Sequence, residues 1–141
     1  MKKLKPFQIY LATLIILNII LSIYTFYIGT QNSAFCIAGG DCKEVQNSKY
    51  GQVLGIKVSL LGAIAFTILL SIYIWANNNK RKRYPLYLIC SLIGGLSALY
   101  FIYLQKFVIE KYCSTCLVID FLSIIICLMS LYEYKKIKNS Y

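Results

Sequence analysis

The 141-residue sequence contains no histidine and only five acidic residues, against fifteen basic ones. The absence of histidine excludes Ser-His-Asp and Cys-His catalysis, histidine-held metal ions and histidine-ligated haem in this chain. Charged residues are scarce at 14%, while apolar residues make up 59% of the chain, compared with about 45–50% in soluble domains. This balance argues against a water-soluble globule or a disordered chain and favours a membrane protein. Catalysis, if any, must rest on Cys, Asp, Glu, Lys, Tyr or a bound cofactor.

Four apolar runs have the length that crosses a bilayer, which is about 20 residues at 1.5 Å per residue. They cover about residues 7–28, 58–76, 84–104 and 113–132, and only the last contains a charged side chain, that of Asp120. We therefore predict an all-α integral membrane protein. Residues 1–141 would form a single domain, a bundle of four transmembrane helices with an outer loop at about 29–57.

Basic residues orient the predicted bundle. Ten of the fifteen lie at the N-terminus, in the turn at 77–83 or at the C-terminus. By the positive-inside rule these segments, and both termini, are predicted to be cytoplasmic. The first apolar run is longer than the core of a signal peptide, so we predict that it is retained as a helix. The net charge of +10 is explained by orientation and by anionic lipids, and we predict no nucleic-acid partner. The terminal basic residues are Lys2, Lys3, Lys5, Lys135, Lys136 and Lys138.

Four of the six cysteines fall on the outer side in this topology. Cys36 and Cys42 lie in the outer loop, and Cys113 and Cys116 form a Cys-x-x-Cys unit where the fourth helix begins. Disulfides persist outside the cytoplasm. A helix N-terminus favours the thiolate, which is the form that attacks disulfides and electrophiles, and Lys111 adds a nearby positive charge.

Three interpretations of these four cysteines compete. They relay two electrons as thiols and disulfides, they hold a structural zinc ion, or they form two disulfides that staple the outer loop to the bundle. Spacing and compartment favour the relay. The remaining pair, Cys90 and Cys127, lies within apolar helices and is interpreted as packing.

Asp120 is the only carboxylate predicted deep within the membrane, and it follows Cys116 by four residues on the same helix face. An ionisable group at this depth is a functional candidate. We hypothesise that it exchanges a proton with a substrate beside Cys116. The alternative is a hydrogen-bonded acid that pairs helices, with Asn18 as a partner. The loop after Cys42 is predicted to cap the bundle as an interfacial segment, with Ser48 as either a turn residue or a pocket residue.

The order of these motifs resembles the bacterial branch of the vitamin K epoxide reductase family. Relatives of the DsbB type resemble it less, because their Cys-x-x-Cys lies in the first outer loop. Many bacterial relatives carry a fused thioredoxin-like domain, whereas this chain ends in a basic tail, so a separate redox partner is expected. The resembling residues are Cys36 and Cys42, Val45, Ser48, Tyr50-Gly51, Gly55-Ile56, Ser59-Leu-Leu-Gly62 and Cys113-Ser-Thr-Cys116.

This resemblance implies an outer loop that caps a quinone pocket in the bundle. Cys116 would be the sulfur next to the quinone ring and Cys113 its partner. Cys36 and Cys42 would shuttle electrons from an extracytoplasmic thioredoxin-like, DsbA-like protein, and which of them bonds Cys113 stays open. The quinone, of ubiquinone, menaquinone or vitamin K type, would be the substrate, with no metal. Tentative quinone contacts are Asp120, Ser48, Val58 and Tyr50; Val58 and Asp120 stand where relatives often have Asn and Tyr.

We therefore predict a membrane thiol-disulfide oxidoreductase that reduces a quinone and supports disulfide formation in exported proteins. It would be a multi-pass protein of the bacterial inner (plasma) membrane whose active site faces away from the cytoplasm. Two alternatives remain open. One is a vitamin K epoxide or quinone reductase of eukaryotic type. The other is a non-enzymatic four-helix membrane protein whose outer disulfides are structural.

Overall fold

The computed structural model describes residues 6–30, 42–78 and 80–140. In chain order it contains α1 (Pro6–Thr30), α2 (Cys42–Asn47), β1 (Gln52–Val53), β2 (Ile56–Lys57), α3 (Val58–Asn78), α4 (Lys80–Tyr103), a π-helical segment (Leu104–Ile109) and α5 (Ser114–Asn139). The predictions for Cys36, Lys2, Lys3 and Lys5 lie outside the described residues. In β1 and β2, Gln52 pairs with Lys57 in antiparallel register.

Four helices are long and apolar enough to cross a membrane: α1, α3, α4 with its π-helical extension, and α5. They pack in the order α1–α3–α4–α5, and α5 returns to α1, which closes the bundle. Buried side chains such as Leu11, Tyr73 and Ile126 fill its centre. Large aliphatic side chains are exposed on the outside, as a lipid-facing surface requires. The predicted class, an integral membrane bundle of four helices, is confirmed, and a short hairpin is added to it.

A polar cluster ties all four long helices together at one end of the bundle. The Gln8 amide donates to Asn77 Oδ1 (3.0 Å) and to Glu133 Oε1 (3.2 Å), and the Tyr84 hydroxyl donates to Glu133 Oε2 (3.1 Å). The Arg83 guanidinium lies 4.1 Å from the centre of the Trp75 ring at this end. We call it the basic end, because Lys135 and Lys136 also lie there. These partners keep Glu133 buried, and α5 therefore continues past the predicted run at 113–132.

The opposite end, which we call the cysteine end, departs from the sequence prediction between α4 and α5. The apolar runs at 84–104 and 113–132 leave only a short connection between them, but α4 continues into it as the π-helical segment and stops at Glu110, whose φ is 55°. Gln105 within this segment is buried, and its Oε1 accepts a hydrogen bond from the Cys113 backbone N–H (3.0 Å). π-helical turns are frequent at functional sites. Here the wide turn brings an amide side chain beneath the start of α5.

Close packing between α4 and α5 gives the first prediction. A Cβ atom added to Gly95 would lie 2.9 Å from Cys127 Cβ, whereas one added to Gly94 meets nothing within 4 Å. We expect Gly95→Ala to destabilise the bundle by about 1–3 kcal/mol, the usual cost of overpacking. Gly94→Ala, the matched control, should be neutral or stabilising, because alanine favours a helix. Thermal unfolding in detergent checks both variants, and equal midpoints would contradict the prediction.

Candidate active site

The site is built around the disulfide between Cys113 and Cys116, whose Cα atoms lie 5.2 Å apart. Cys113 is the extended residue that precedes α5, and its sulfur accepts a hydrogen bond from the Cys116 backbone N–H (3.3 Å). Cys113 is fully buried, whereas Cys116 is half-buried and faces a cavity. The two sulfurs therefore differ in what can reach them.

Cys42 packs against this disulfide. It begins α2 and is buried in one cluster with Ile28, Val45 and Cys113. Its sulfur is 3.8 Å from the hydroxyl oxygen of Thr115, between the two cysteines of the Cys-x-x-Cys unit. The free cysteines among the described residues are Cys90 and Cys127. The structure thus brings one cysteine of the outer loop against the helix-capping pair.

Gln46 fixes α2 over the bundle. Its amide nitrogen donates to the Thr25 carbonyl oxygen (2.8 Å) on α1, and its Oε1 accepts from the Ser59 hydroxyl (3.2 Å) on α3. Gly29 is needed beside it, because a side chain there would collide with the Gln46 amide. A six-residue helix is not stable alone, so these contacts, and not intrinsic propensity, hold α2 in position.

Lys111, predicted to add a positive charge near the cysteine pair, has a carboxylate partner in the structure. Its ammonium group forms an ion pair with Glu44 on α2, and both side chains are exposed. The Lys111 charge, which was expected to favour a cysteine thiolate, is therefore paired with the Glu44 carboxylate. The pair joins α2 to the segment that precedes α5, and an exposed pair of this kind contributes little to stability.

Two adjacent cavities lie near the disulfide, and the first is beneath α2. The first is walled by Cys116, Asp120, Val45, Tyr50 and Val58, with Gln46 and Gln105 at its polar edge. The second is a groove of about 490 Å³ between α3 and α4, lined mainly by apolar and small side chains. Val58, Phe101, Ile119 and Asp120 line both. The cavity beside the Cys116 sulfur thus shares a wall with a groove along the spanning helices.

A family model for the vitamin K epoxide reductase family matches residues 9–131. The chain belongs to this family. The match includes most of the four long helices and both cysteine pairs. Membership makes the protein a multi-pass membrane oxidoreductase of a family that uses quinones. Among the described residues, no group of three or more His, Cys, Asp or Glu side chains could hold a metal ion.

The predicted quinone contacts divide into two sets in this family member. Asp120, Val58 and Tyr50 line the cavity with Cys116. Ser48 lies in the turn after α2, where its hydroxyl donates to the Val45 carbonyl oxygen (2.6 Å) and accepts from the Gly51 N–H (3.1 Å). Ser48 was predicted to be either a turn residue or a pocket residue, and these contacts are those of a turn residue.

The Asp120 carboxyl group is the polar feature of this cavity that bears on quinone binding. Its side chain is 8% exposed, and its Oδ2 has no hydrogen-bond partner among the described residues. The alternative, a hydrogen bond between Asp120 and Asn18, is not seen among the described residues, where the Asn18 amide donates to the Ser123 hydroxyl (3.3 Å). An unpartnered carboxyl oxygen at an otherwise apolar cavity suits a flat, apolar ligand with oxygen atoms at its edge. The residues present therefore fit a quinone.

Sequence reasoning missed three polar side chains at this site: Gln46, Gln105 and Thr115. Each is nearly fully buried. Gln46 follows Cys42 by four residues, and Gln105 is an uncharged polar residue at the end of an apolar run. Buried polar groups in a membrane protein need partners. A polar side chain next to an apolar run is therefore a candidate for a buried hydrogen bond, and this reasoning could have identified these residues from the sequence.

Proposed function

We propose that the protein oxidises a reduced, extracytoplasmic thioredoxin-like protein and passes the electrons to a membrane quinone, so that disulfides form in exported proteins. One observation carries this proposal: Cys42 packs against Cys113 of the Cys113–Cys116 disulfide, and Cys116 lines a cavity that shares a wall with a long, mainly apolar groove. A disulfide that contacts a loop cysteine and also lines a cavity is suited to pass electrons from a thioredoxin-like protein to a quinone.

The electron path follows from the burial of each sulfur. Reduced partner thiols would convert the Cys36–Cys42 pair to thiols by disulfide exchange. The Cys42 thiolate then attacks the Cys113 sulfur, the Cys113–Cys116 bond breaks, and its electron pair leaves on Cys116. We assign this attack to Cys42 because it shares a buried cluster with Cys113.

The cycle closes with a second exchange. The Cys116 thiolate would add to the quinone ring, and Cys36 would attack Cys42 to form the loop disulfide and release the Cys113 thiolate. The Cys113 thiolate would then attack the Cys116 sulfur, so that the bond between Cys116 and the ring breaks, the Cys113–Cys116 disulfide re-forms and the electron pair leaves on the hydroquinone. Two thiol protons end on the hydroquinone oxygens, and Asp120 is positioned to relay one of them, since it lines the cavity with Cys116.

The groove supports a lipid quinone as the acceptor. It runs from Val58 and Phe101 beside the cavity to Cys90 and Ile72, closer to the basic end, and its walls are apolar. An isoprenoid tail would lie along it while the ring meets Cys116. Val58 and Tyr50 would hold the ring by apolar contact.

The active site is proposed to face away from the cytoplasm, in the bacterial inner membrane. Lysines and arginines cluster at the basic end, and the positive-inside rule assigns that end to the cytoplasm. In intact cells, a membrane-impermeant maleimide should label a cysteine introduced by Glu110→Cys, at an exposed position of the cysteine end. A cysteine introduced by Lys136→Cys should be labelled only after permeabilisation. The reverse pattern would contradict the assigned orientation.

The proposed activity is tested with purified full-length protein, a reduced thioredoxin-like protein and a soluble quinone analogue. Quinone absorbance should fall, with one disulfide formed per quinone reduced. Cysteines that stay oxidised under these conditions, with no loss of quinone, would identify structural disulfides and overturn the proposal. Turnover with vitamin K epoxide in place of the quinone would favour a reductase of eukaryotic type.

A further inference from the structure

We infer that the Thr115 hydroxyl is a catalytic hydrogen-bond donor to the Cys42 sulfur during thiol exchange with Cys113, an inference that rests on the proposed function. The Thr115 hydroxyl oxygen lies 3.8 Å from Cys42 Sγ, within the reach of a hydrogen bond to sulfur. Cys42 is disulfide-bonded in the structure, so its sulfur carries no hydrogen. The hydroxyl is therefore the donor.

The position of Thr115 in α5 leaves its hydroxyl available for this role. Threonines inside helices usually bond a backbone carbonyl of the preceding turn. Thr13, Thr25 and Thr67 do so, donating to the carbonyl oxygens of Ile9, Leu21 and Ala63. Thr115 lies in the first turn, and the residue four positions before it, Lys111, precedes the helix. Its hydroxyl lacks that carbonyl and contacts the sulfur of the outer loop.

Burial makes this contact effective. Thr115 is 2% exposed and Cys42 is also 2% exposed, so water competes little for the sulfur. A hydrogen bond to the charged form of a group favours that form. When the loop is reduced, the same hydroxyl would stabilise the Cys42 thiolate next to the Cys113 sulfur that it attacks. The proton lost from Cys42 passes to solvent or to the next thiolate in the exchange, and Thr115 keeps its own.

The size of the effect follows from two opposing trends. If one hydrogen bond moves the midpoint of thiolate formation from about 8.5 to about 7.5, the thiolate fraction at pH 7 rises about eightfold. Nucleophilicity falls about threefold for the same change, because the Brønsted coefficient is about 0.4–0.5. The net gain is about threefold at pH 7, and it reverses above about pH 8, because the thiol without the hydrogen bond is then also substantially ionised.

Other charged and titratable groups are close to Cys42 in sequence or lie on segments that pack against its helix. These groups are unchanged in a Thr115 variant, so their effects on the Cys42 midpoint cancel when variants are compared. Lys43 and Glu44 are on α2 itself, Tyr24 packs from α1, Lys111, Cys113 and Cys116 approach from the α5 side, and Asp41 and Cys36 are close in sequence.

The test compares Thr115→Val, which keeps the shape and removes the hydroxyl, with Thr115→Ser, which keeps the hydroxyl. Thr115→Ala is a second variant without the hydroxyl, should valine prevent folding, and Thr67→Val is the control at a distant helix threonine. The reduced full-length protein is alkylated with iodoacetamide from pH 5.5 to 10, and modification of Cys42 is measured by mass spectrometry. We expect the Cys42 midpoint to rise by about one pH unit in Thr115→Val and Thr115→Ala. It should stay at the wild-type value in Thr115→Ser and Thr67→Val.

Turnover provides the second measurement. With a thioredoxin-like donor, Thr115→Val should be about threefold slower at pH 7 and no slower than wild type at pH 9.5. An unshifted Cys42 midpoint, or an equal shift in Thr115→Ser, overturns the inference. Absence of quinone reduction in the wild type, with the midpoint shifted as expected, would refute the proposed function and leave the contact to Cys42 supported.

Discussion

Cys116→Ser is expected to lower quinone reduction by at least about 10³-fold with every electron donor. Cys116 is the sulfur of the disulfide that faces the cavity, while Cys113 is buried behind it. A serine hydroxyl can neither form the disulfide nor leave as a stable anion, so the electron pair has no route to the quinone. Cys113→Ser should be equally inactive, since it removes the other half of the same bond.

Cys42→Ser separates the two halves of the path. Turnover driven by a reduced thioredoxin-like protein should be lost, whereas turnover driven by dithiothreitol should persist, because a small dithiol reduces the Cys113–Cys116 bond directly. Loss of quinone absorbance measures each rate. Cys127→Ser is the matched control, a free cysteine on the same helix, and it should keep wild-type turnover. Retained turnover in Cys116→Ser would refute the proposed path.

The four long helices could be predicted because hydropathy dominates their sequences. The limits of α1 and α3 follow the apolar runs closely. α5 is longer than its apolar run because Glu133 finds partners in Gln8 and Tyr84, which come from distant parts of the sequence. A local pattern ends the helix at the first charge, whereas tertiary contacts allow it to continue. Helix periodicity placed Asp120 on the same face as Cys116, and the family resemblance implied that Tyr50 and Val58 are quinone contacts; the three residues line one cavity with Cys116.

The parts that could not be predicted depend on contacts between separate segments. α2 is too short to be stable alone, and Gln46 holds it through Thr25 and Ser59. The π-helical turn has no sequence signal of its own, yet it aims Gln105 at the Cys113 backbone. Lys111 was predicted to act on the cysteines because it is close to them in sequence. Its partner Glu44 lies on α2, so their ion pair depends on how two separate segments pack.

Asp120→Asn is expected to lower kcat for quinone reduction by about 10²-fold, the lower range for loss of a proton-transfer group. Asparagine keeps the shape of the side chain and its amide can still donate a hydrogen bond, but it cannot transfer a proton to a quinone oxygen. The KM for the quinone analogue should therefore change little. Steady-state rates over a range of quinone concentration and pH check both parameters.

Glu133→Gln is the matched control for Asp120→Asn. Both residues are buried acids on α5, separated by about 20 Å along the helix axis, and Glu133 belongs to the polar cluster at the basic end. The control should keep the wild-type kcat even if its thermal stability falls. Full turnover of Asp120→Asn with an unchanged pH profile would remove Asp120 from proton transfer. A rise in KM at constant kcat would assign it to quinone binding alone, because only a group that acts in the transition state lowers kcat.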